Sequence, residues 1–292
     1  MKKGFVIFLS FLTGVTTMAQ KIAGKLRFQQ GQVLQIEMEM KTAVVQQAMG
    51  QAIDFHVTGA ATHQYKATNV TDDNNTLRHS MNRLSFQFDG MGQKLNFDSD
   101  NPKDMEGRMG KPMKEMLEKN YDVIIDPNGK VMMAQPEKIT LAAADERLKL
   151  VADMMKDLTN VVFPPKKGEG SFFRVLPENE AAIGESWSET GKTETGEFTN
   201  NYTLKEINDS TVVVALDGNS TTSVKADMRG METVTNMNHK TTGNIIVDKA
   251  TGIVRQKTLN TESSGATQIT AMGATMPLTS KSTIVINVKP QP

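Results

Sequence analysis

The strongest constraint on this chain is a two-residue rhythm. Val33-Leu34-Gln35-Ile36-Glu37-Met38-Glu39-Met40 alternates apolar with polar, as do Leu84-Ser85-Phe86-Gln87-Phe88 and Ser282-Thr283-Ile284-Val285-Ile286-Asn287-Val288. Successive side chains of a strand point to opposite faces, so this rhythm predicts strands with one face buried and one wet. Threonine is abundant in the C-terminal half, as an outer sheet face that is polar yet β-competent requires. With no cysteine among 292 residues, disulfides and thiolate metal sites are excluded, and stability rests on packing. Lys plus Arg equals Asp plus Glu at 33 each, which leaves no electrostatic footprint for nucleic acid or for an anionic membrane.

The first residues are of another kind. Lys2 and Lys3 precede an apolar run from Phe5 to Val15, and Thr17-Met18-Ala19 supplies small residues at −3 and −1. This is the build of a secretory signal peptide, residues 1–19, with an apolar core too short for a permanent anchor. No cysteine follows it, so the expected product is a soluble periplasmic or secreted protein without a lipid anchor. No later apolar run reaches the roughly twenty residues of a membrane helix.

Two stretches break the rhythm. Leu141, Ala144, Leu148, Val151, Met155 and Leu158 recur at steps of three and four, one stripe of a helix placed between Pro136 and Pro164-Pro165. A shorter helix is expected near 103–120, starting about Pro112 and running through Met113, Met116 and Leu117 to Asn120. An internal echo is also present. Tyr65, Val70, Asp72, Gly90-Met91 and the stretch Ile124 to Val131 are followed in the same order by Tyr202, Ile207, Asp209, Gly230-Met231 and Ile246 to Val254. The last element reads each time as a hairpin whose glycine takes positive φ. Ser99 to Lys119 is an insert in the first copy. Duplication of a β unit and chance matching in threonine-rich strands are both open.

Asp98-Ser99-Asp100-Asn101-Pro102, the Asp126-to-Val131 hairpin and Ile183-Gly184-Glu185-Ser186-Trp187 resemble an exported Bacteroidota family known only as a domain of unknown function. The resemblance covers nearly all of the chain after the leader and implies no activity. In architecture alone, a long curved antiparallel sheet with helices is similar to periplasmic carriers of lipoproteins or lipids.

Catalytic constellations are missing. There is no Gly-x-Ser-x-Gly elbow and no Ser-x-x-Lys pair, and Gly168-Glu169-Gly170 lacks the third glycine of a dinucleotide loop. The paired carboxylates Asp72-Asp73 and Asp98/Asp100 sit in polar contexts unsuited to general-acid work. The four histidines His56, His63, His79 and His239 lack zinc-helix spacing and read as solvated strand residues, with His56 and His63 positioned to face each other across a hairpin. Asp98-Ser99-Asp100-Asn101 opens like a calcium loop, but Lys103 replaces its glycine and Met109 its glutamate, so an Asx-type turn is expected. Met105, Met109, Met113 and Met116 read as core or apolar surface before adaptable ligand surface or copper ligands. Met49-Gly50, Gly90-Met91-Gly92, Gly230-Met231 and Met272-Gly273 read as hairpin tips or strand kinks. Trp187 reads as a core anchor, and Asp209-Ser210-Thr211 matches a short O-glycosylation pattern at Ser210.

The sequence therefore predicts a mainly β protein: a long curved antiparallel sheet or incomplete barrel, with one long and one short helix packed against it. Its expected parts are an N-terminal β half at 20–135, a helical connector at 136–165 and a C-terminal β half at 166–292. The stripe is expected on the concave face, with Leu141, Leu148, Val151, Met155 and Leu158 touching an apolar ligand. The expected role is a non-catalytic envelope protein binding a lipidic or other apolar molecule, without metal, cofactor or nucleic acid. The alternative is a module that binds another envelope protein. N-terminal sequencing of the exported protein should begin at Gln20; recovery of Met1 in a membrane fraction would defeat the export argument.

Overall fold

The computed structural model describes residues 20–48, 51–90, 92–139, 155–228 and 231–291. Twelve strands form one antiparallel sheet. In chain order they are β2 Val33–Ala48, β3 Gln51–Val70, β4 Asn75–Gly90, β5 Gln93–Asp98, β6 Asn120–Ile125, β7 Val131–Gln135, β9 Ser186–Lys192, β10 Gly196–Ile207, β11 Thr211–Met228, β12 Met231–Asp248, β13 Val254–Ile269 and β14 Ala274–Gln291. Their order across the sheet is β7-β6-β4-β3-β2-β14-β13-β12-β11-β10-β9, with β5 also on β4. Two-residue strands β1 (Lys21–Ile22) and β8 (Ala181–Ala182) make a small separate pair. The sheet is open: β9 forms one edge, with β5 and β7 at the other. Its two halves are joined by β14 pairing with β2, from Gln291 opposite Val33 to Leu278 opposite Gln46.

The alternation sets the inner face. Leu34, Ile36, Met38 and Met40 of β2 are buried, with Val57, Ala61 and Tyr65 on β3 and Leu84, Phe86 and Phe88 on β4. Val212 and Val214, Ile245 and Val247, and Ile284, Ile286 and Val288 continue that layer across β11, β12 and β14. The residues between them, such as His56 and Thr58 on β3, face solvent.

The internal echo has a topological counterpart. The β3–β4 and β10–β11 turns lie at one end of the sheet, and the β4–β5 and β11–β12 tips lie at the other. Strands β5 and β6 pair with the two halves of β4, Gly90 to Ser85 and Ser80 to Asn75, where β12 alone pairs with the whole of β11. The 99–119 insert thus splits one strand position into two. Gly129 and Gly252 close the two echoed hairpins at φ of 82° and 70°. One N-terminal segment reaches both, as Leu26 N donates to Pro127 O and Arg27 N to Thr251 O.

The insert holds helices α1 (Pro102–Glu106) and α2 (Gly110–Leu117). The short helix therefore starts two residues before Pro112 and stops at Leu117, and Asn120 already pairs with Ser80. Asn101 caps α1 by accepting from Lys103 N, and Asp100 N donates to Asp98 Oδ1, the expected Asx geometry. Asp98 is held below the usual carboxylate range by its hydrogen bond from Arg83. Met113 and Met116 are buried, and Met105 and Met109 pack against the core, so these thioethers fill it. Pro136 directly follows β7 after a cis Gln135–Pro136 bond, and residues 136–139 are not helical.

Replacing Leu84, 0% exposed, by Ala should cost about 2–5 kcal/mol in urea unfolding, while Thr58→Ala on the wet face should stay within about 0.5 kcal/mol. Equal effects would mean the inner face is misassigned.

Candidate functional site

Toward the end with the β3–β4 and β10–β11 turns, taken as the lower end, the inner face is covered by two straps. One comprises α3 (Lys156–Thr159) and the 3-10 turn Asn160–Val162, with Met155, Leu158 and Val162 buried. Of the stripe expected to touch a ligand, Met155 and Leu158 are brought together against β2 and β3. Leu141, Ala144, Leu148 and Val151 lie outside the described residues. Leu158 owes its seat to Gly59, since a Cβ there would stand 2.6 Å from Leu158 Cδ1.

The other strap, residues 166–176, spans the gap between the two sheet edges. On the β7 side, Val131 N donates to Glu169 O, Gly168 N to Val131 O and Ser171 N to Gly129 O. On the β9 side, Trp187 Nε1 donates to Val175 O at 3.1 Å, and its ring stacks on Tyr202. Trp187 is thus a half-buried clamp, more exposed than a core anchor. From the sheet, Lys257 Nζ donates to Phe172 O at 2.9 Å and lies 4.3 Å from the Phe172 ring centroid. Burial lowers this ammonium to about 8.

Beneath the first strap lies a polar cluster that the sequence reading mislocated. His63 and His79 are 0% exposed, so they are not solvated strand histidines. His56 and His63 do not face each other either: both lie on β3, and His63's partner is His79 on β4, with His63 Nδ1 and His79 Nε2 3.1 Å apart. The bonding fixes the tautomers. Leu158 O only accepts, so His63 Nε2 donates to it at 2.9 Å; His63 Nδ1 must then accept from His79 Nε2. That leaves His79 Nδ1 a bare acceptor, buried with no partner among the described residues. Alongside, Tyr121 donates to Val161 O at 3.0 Å and accepts from Tyr65 at 3.0 Å, while the His79 ring stacks on Tyr121. Desolvation lowers His63 to about 4 and His79 to about 3, the latter also through the charge of His63. Burial raises both phenols. Near neutral pH these four side chains are uncharged and sealed under the strap, an arrangement for holding two backbone carbonyls. The register carried the signal: His79 sits between Leu77 and Met81, and His63 between Ala61 and Tyr65, in the buried rows.

Above the cluster an apolar band crosses seven strands in register: Leu216, Gly243, Leu259, Ile284, Met40, Gly59 and Phe86. Met40, Phe86 and Ile284 are buried, whereas Leu259 and Leu216 are only partly buried. The next row up is a rail of hydroxyls, in which Thr42 bonds Ser282 and Thr241 bonds Thr261, both at 2.9 Å. Toward the β9 edge, an open cleft of about 750 Å³ is lined by polar residues around Phe198, among them Ser220 and His239. His239 bonds Thr222 and Ser263. Among the described residues no group of three or more His, Asp or Glu is placed to hold a metal ion.

Gly59→Ala should drive a methyl into the Leu158 seat. It should cost about 1–3 kcal/mol and raise proteolysis near residues 155–162. A wild-type cleavage pattern and midpoint would show that the seat is not tightly filled.

No curated protein matches the chain. Among solved structures it is similar to one of lipovitellin, described as showing lipid–protein interactions, at 9% identity and a TM-score of 0.45. That match covers 91% of this chain and 26% of lipovitellin, so the chain spans about a quarter of that protein. It is also similar to an outer-membrane channel of Pseudomonas putida F1, at 6% identity and a TM-score of 0.22, covering 91% of this chain and 98% of the channel. Among the described residues no helix is long and apolar enough to cross a membrane. A family model matches residues 72–254, from the β3–β4 turn to the start of β13, and the chain belongs to that family of unknown function, DUF6263.

Proposed function

We propose that this chain is a non-catalytic cell-envelope protein that holds an amphiphilic, largely apolar ligand on the inner face of its sheet. The observation that supports this is the seven-strand band. It is buried where α3 roofs it and continues as partly buried Leu259 and Leu216 toward β11. An apolar body lying there would extend the core sideways, and each square ångström removed from water is worth about 25 cal/mol. The hydroxyl rail beside the band supplies the few polar groups that orient a ligand. Met155 and Leu158 would form the ligand's inner wall. The envelope location rests on the basic and apolar leader ahead of Gln20. Against catalysis stand the sealed, neutral histidines and phenols and the absence of a recognised nucleophile motif.

A second reading is an interaction module, and one observation favours it. The β2–β3, β4–β5, β9–β10, β11–β12 and β13–β14 tips all lie at one end of the sheet, and four of them carry a methionine beside a glycine. Met272, at the last, is 58% exposed.

Native mass spectrometry of protein purified from its own envelope separates the two. A retained apolar adduct, lost in Leu216→Gln/Leu259→Gln, is expected. Adduct-free protein in stoichiometric complex with another protein would replace the first reading with the second.

A further inference from the structure

We propose that the His63–His79 pair is an acid-released latch: acidification detaches the strap formed by α3 and the 3-10 turn and uncovers the apolar band beneath it. The latch is built so that it holds only when neutral. His79 donates to His63, and His63 donates to the carbonyl of Leu158, the residue seated on Gly59. A first proton can enter only at His79 Nδ1, where it creates a buried cation whose new N–H has no acceptor among the described residues. A second would set N–H against N–H across the 3.1 Å gap and break the pair.

No described side chain facing the pair carries a neutralising charge. The titratable groups around it are Tyr65 on β3 and Tyr121 on β6, both held neutral by burial. β2 contributes Ile36, opposite His63, and Met38, the 3-10 turn contributes Val161 and Val162, and Phe172 and Phe173 of the second strap pack on Tyr65. Lys156 on α3 is exposed, and Glu37, Lys66, Arg78 and Asp122 occupy the opposite register of their strands. With no counter-charge among the described residues, the latch relieves its charge by admitting water, which requires the strap to move.

The sign follows from proton counting. The closed form holds both imidazoles below their ordinary value near 6.5, so between those limits an open form binds more protons. Closure is fully favoured above about pH 6.5 and loses about tenfold per histidine for each unit below it, or about a hundredfold at pH 5.5. The latch stands on its own geometry; only its consequence, release of a ligand from the band, rests on the function proposed above.

Hydrogen exchange, corrected for the intrinsic chemical rate, tests it through the amides of Leu158, Thr159 and Phe163, which bond within the strap. From pH 7.5 to pH 5.5 their protection should fall about a hundredfold, while the amides of β12 fall far less. In H63Q/H79Q, whose amide side chains can still donate but do not titrate, strap protection should be pH-independent; in H79Q alone the fall should be about tenfold. Unchanged strap protection in wild type, a parallel fall in β12 that signals global unfolding, or a hundredfold fall in H63Q/H79Q would each overturn the latch. Should the double variant not fold, the wild-type contrast between strap and β12 still decides. Native mass spectrometry at both pH values then reads ligand retention separately, so loss of the ligand hypothesis leaves the latch result intact.

Discussion

Everything in this molecule follows from having one apolar face on a sheet that does not close. A closed barrel covers its inner face with its own opposite wall and has no edges. Here twelve strands curve without meeting, so the inner face and both edges need other cover. The chain supplies it from segments with little regular structure: the strap after Met155, the strap at 166–176 and the N-terminal run through Leu26 and Phe28. These carry some of its most buried side chains, including Leu158, Val162 and Phe173.

Short segments gain little from their own backbone bonds, so they must be fastened to the sheet by side chains. Each strap is held through carbonyl groups. Imidazole and phenol donors of the inner face take Leu158 O and Val161 O, the Lys257 ammonium takes Phe172 O, and the Trp187 indole takes Val175 O. Buried carbonyls without such donors would each be costly. That requirement explains why polar residues sit in the middle of an apolar layer, and why their fastening differs in strength. Lys257 and Trp187 do not change state in mild acid, whereas the histidines would do so once released from burial.

Period-two alternation made most of the sheet legible before any coordinates, because strands such as β2 and β14 have one wet face and cannot be shifted by one residue without burying charge. The echoed hairpins and the Asx turn at Asp98 were legible for similarly local reasons. What stayed hidden depends on contacts far apart in sequence. His63 was read as a loose surface residue because imidazole is common there; only the register of β3 against β4 and the approach of Leu158, 95 residues away, make it a buried fastener. The alternation itself placed His63 and His79 in the inner rows, so strict application of the rhythm would have found them. Two β halves of one long sheet were expected about a connector, but how they join was not. No local pattern announces that the last strand, β14, returns to pair with the first long one.

That return explains where a binding surface can survive. If the halves packed face to face, their inner layers would bury one another. Side-by-side joining through β2 and β14 leaves both layers on one continuous surface, too wide for the straps to cover entirely. The straps concentrate at the lower end, where the N-terminal run ties the echoed hairpins through Pro127 and Thr251. Toward the tips the inner rows change from leucine and valine to threonine and serine on the β11–β14 side. Where no described segment covers it, the sheet thereby satisfies its inner face with hydroxyl pairs, and between these and the straps lies the band that ends in partly buried Leu259 and Leu216.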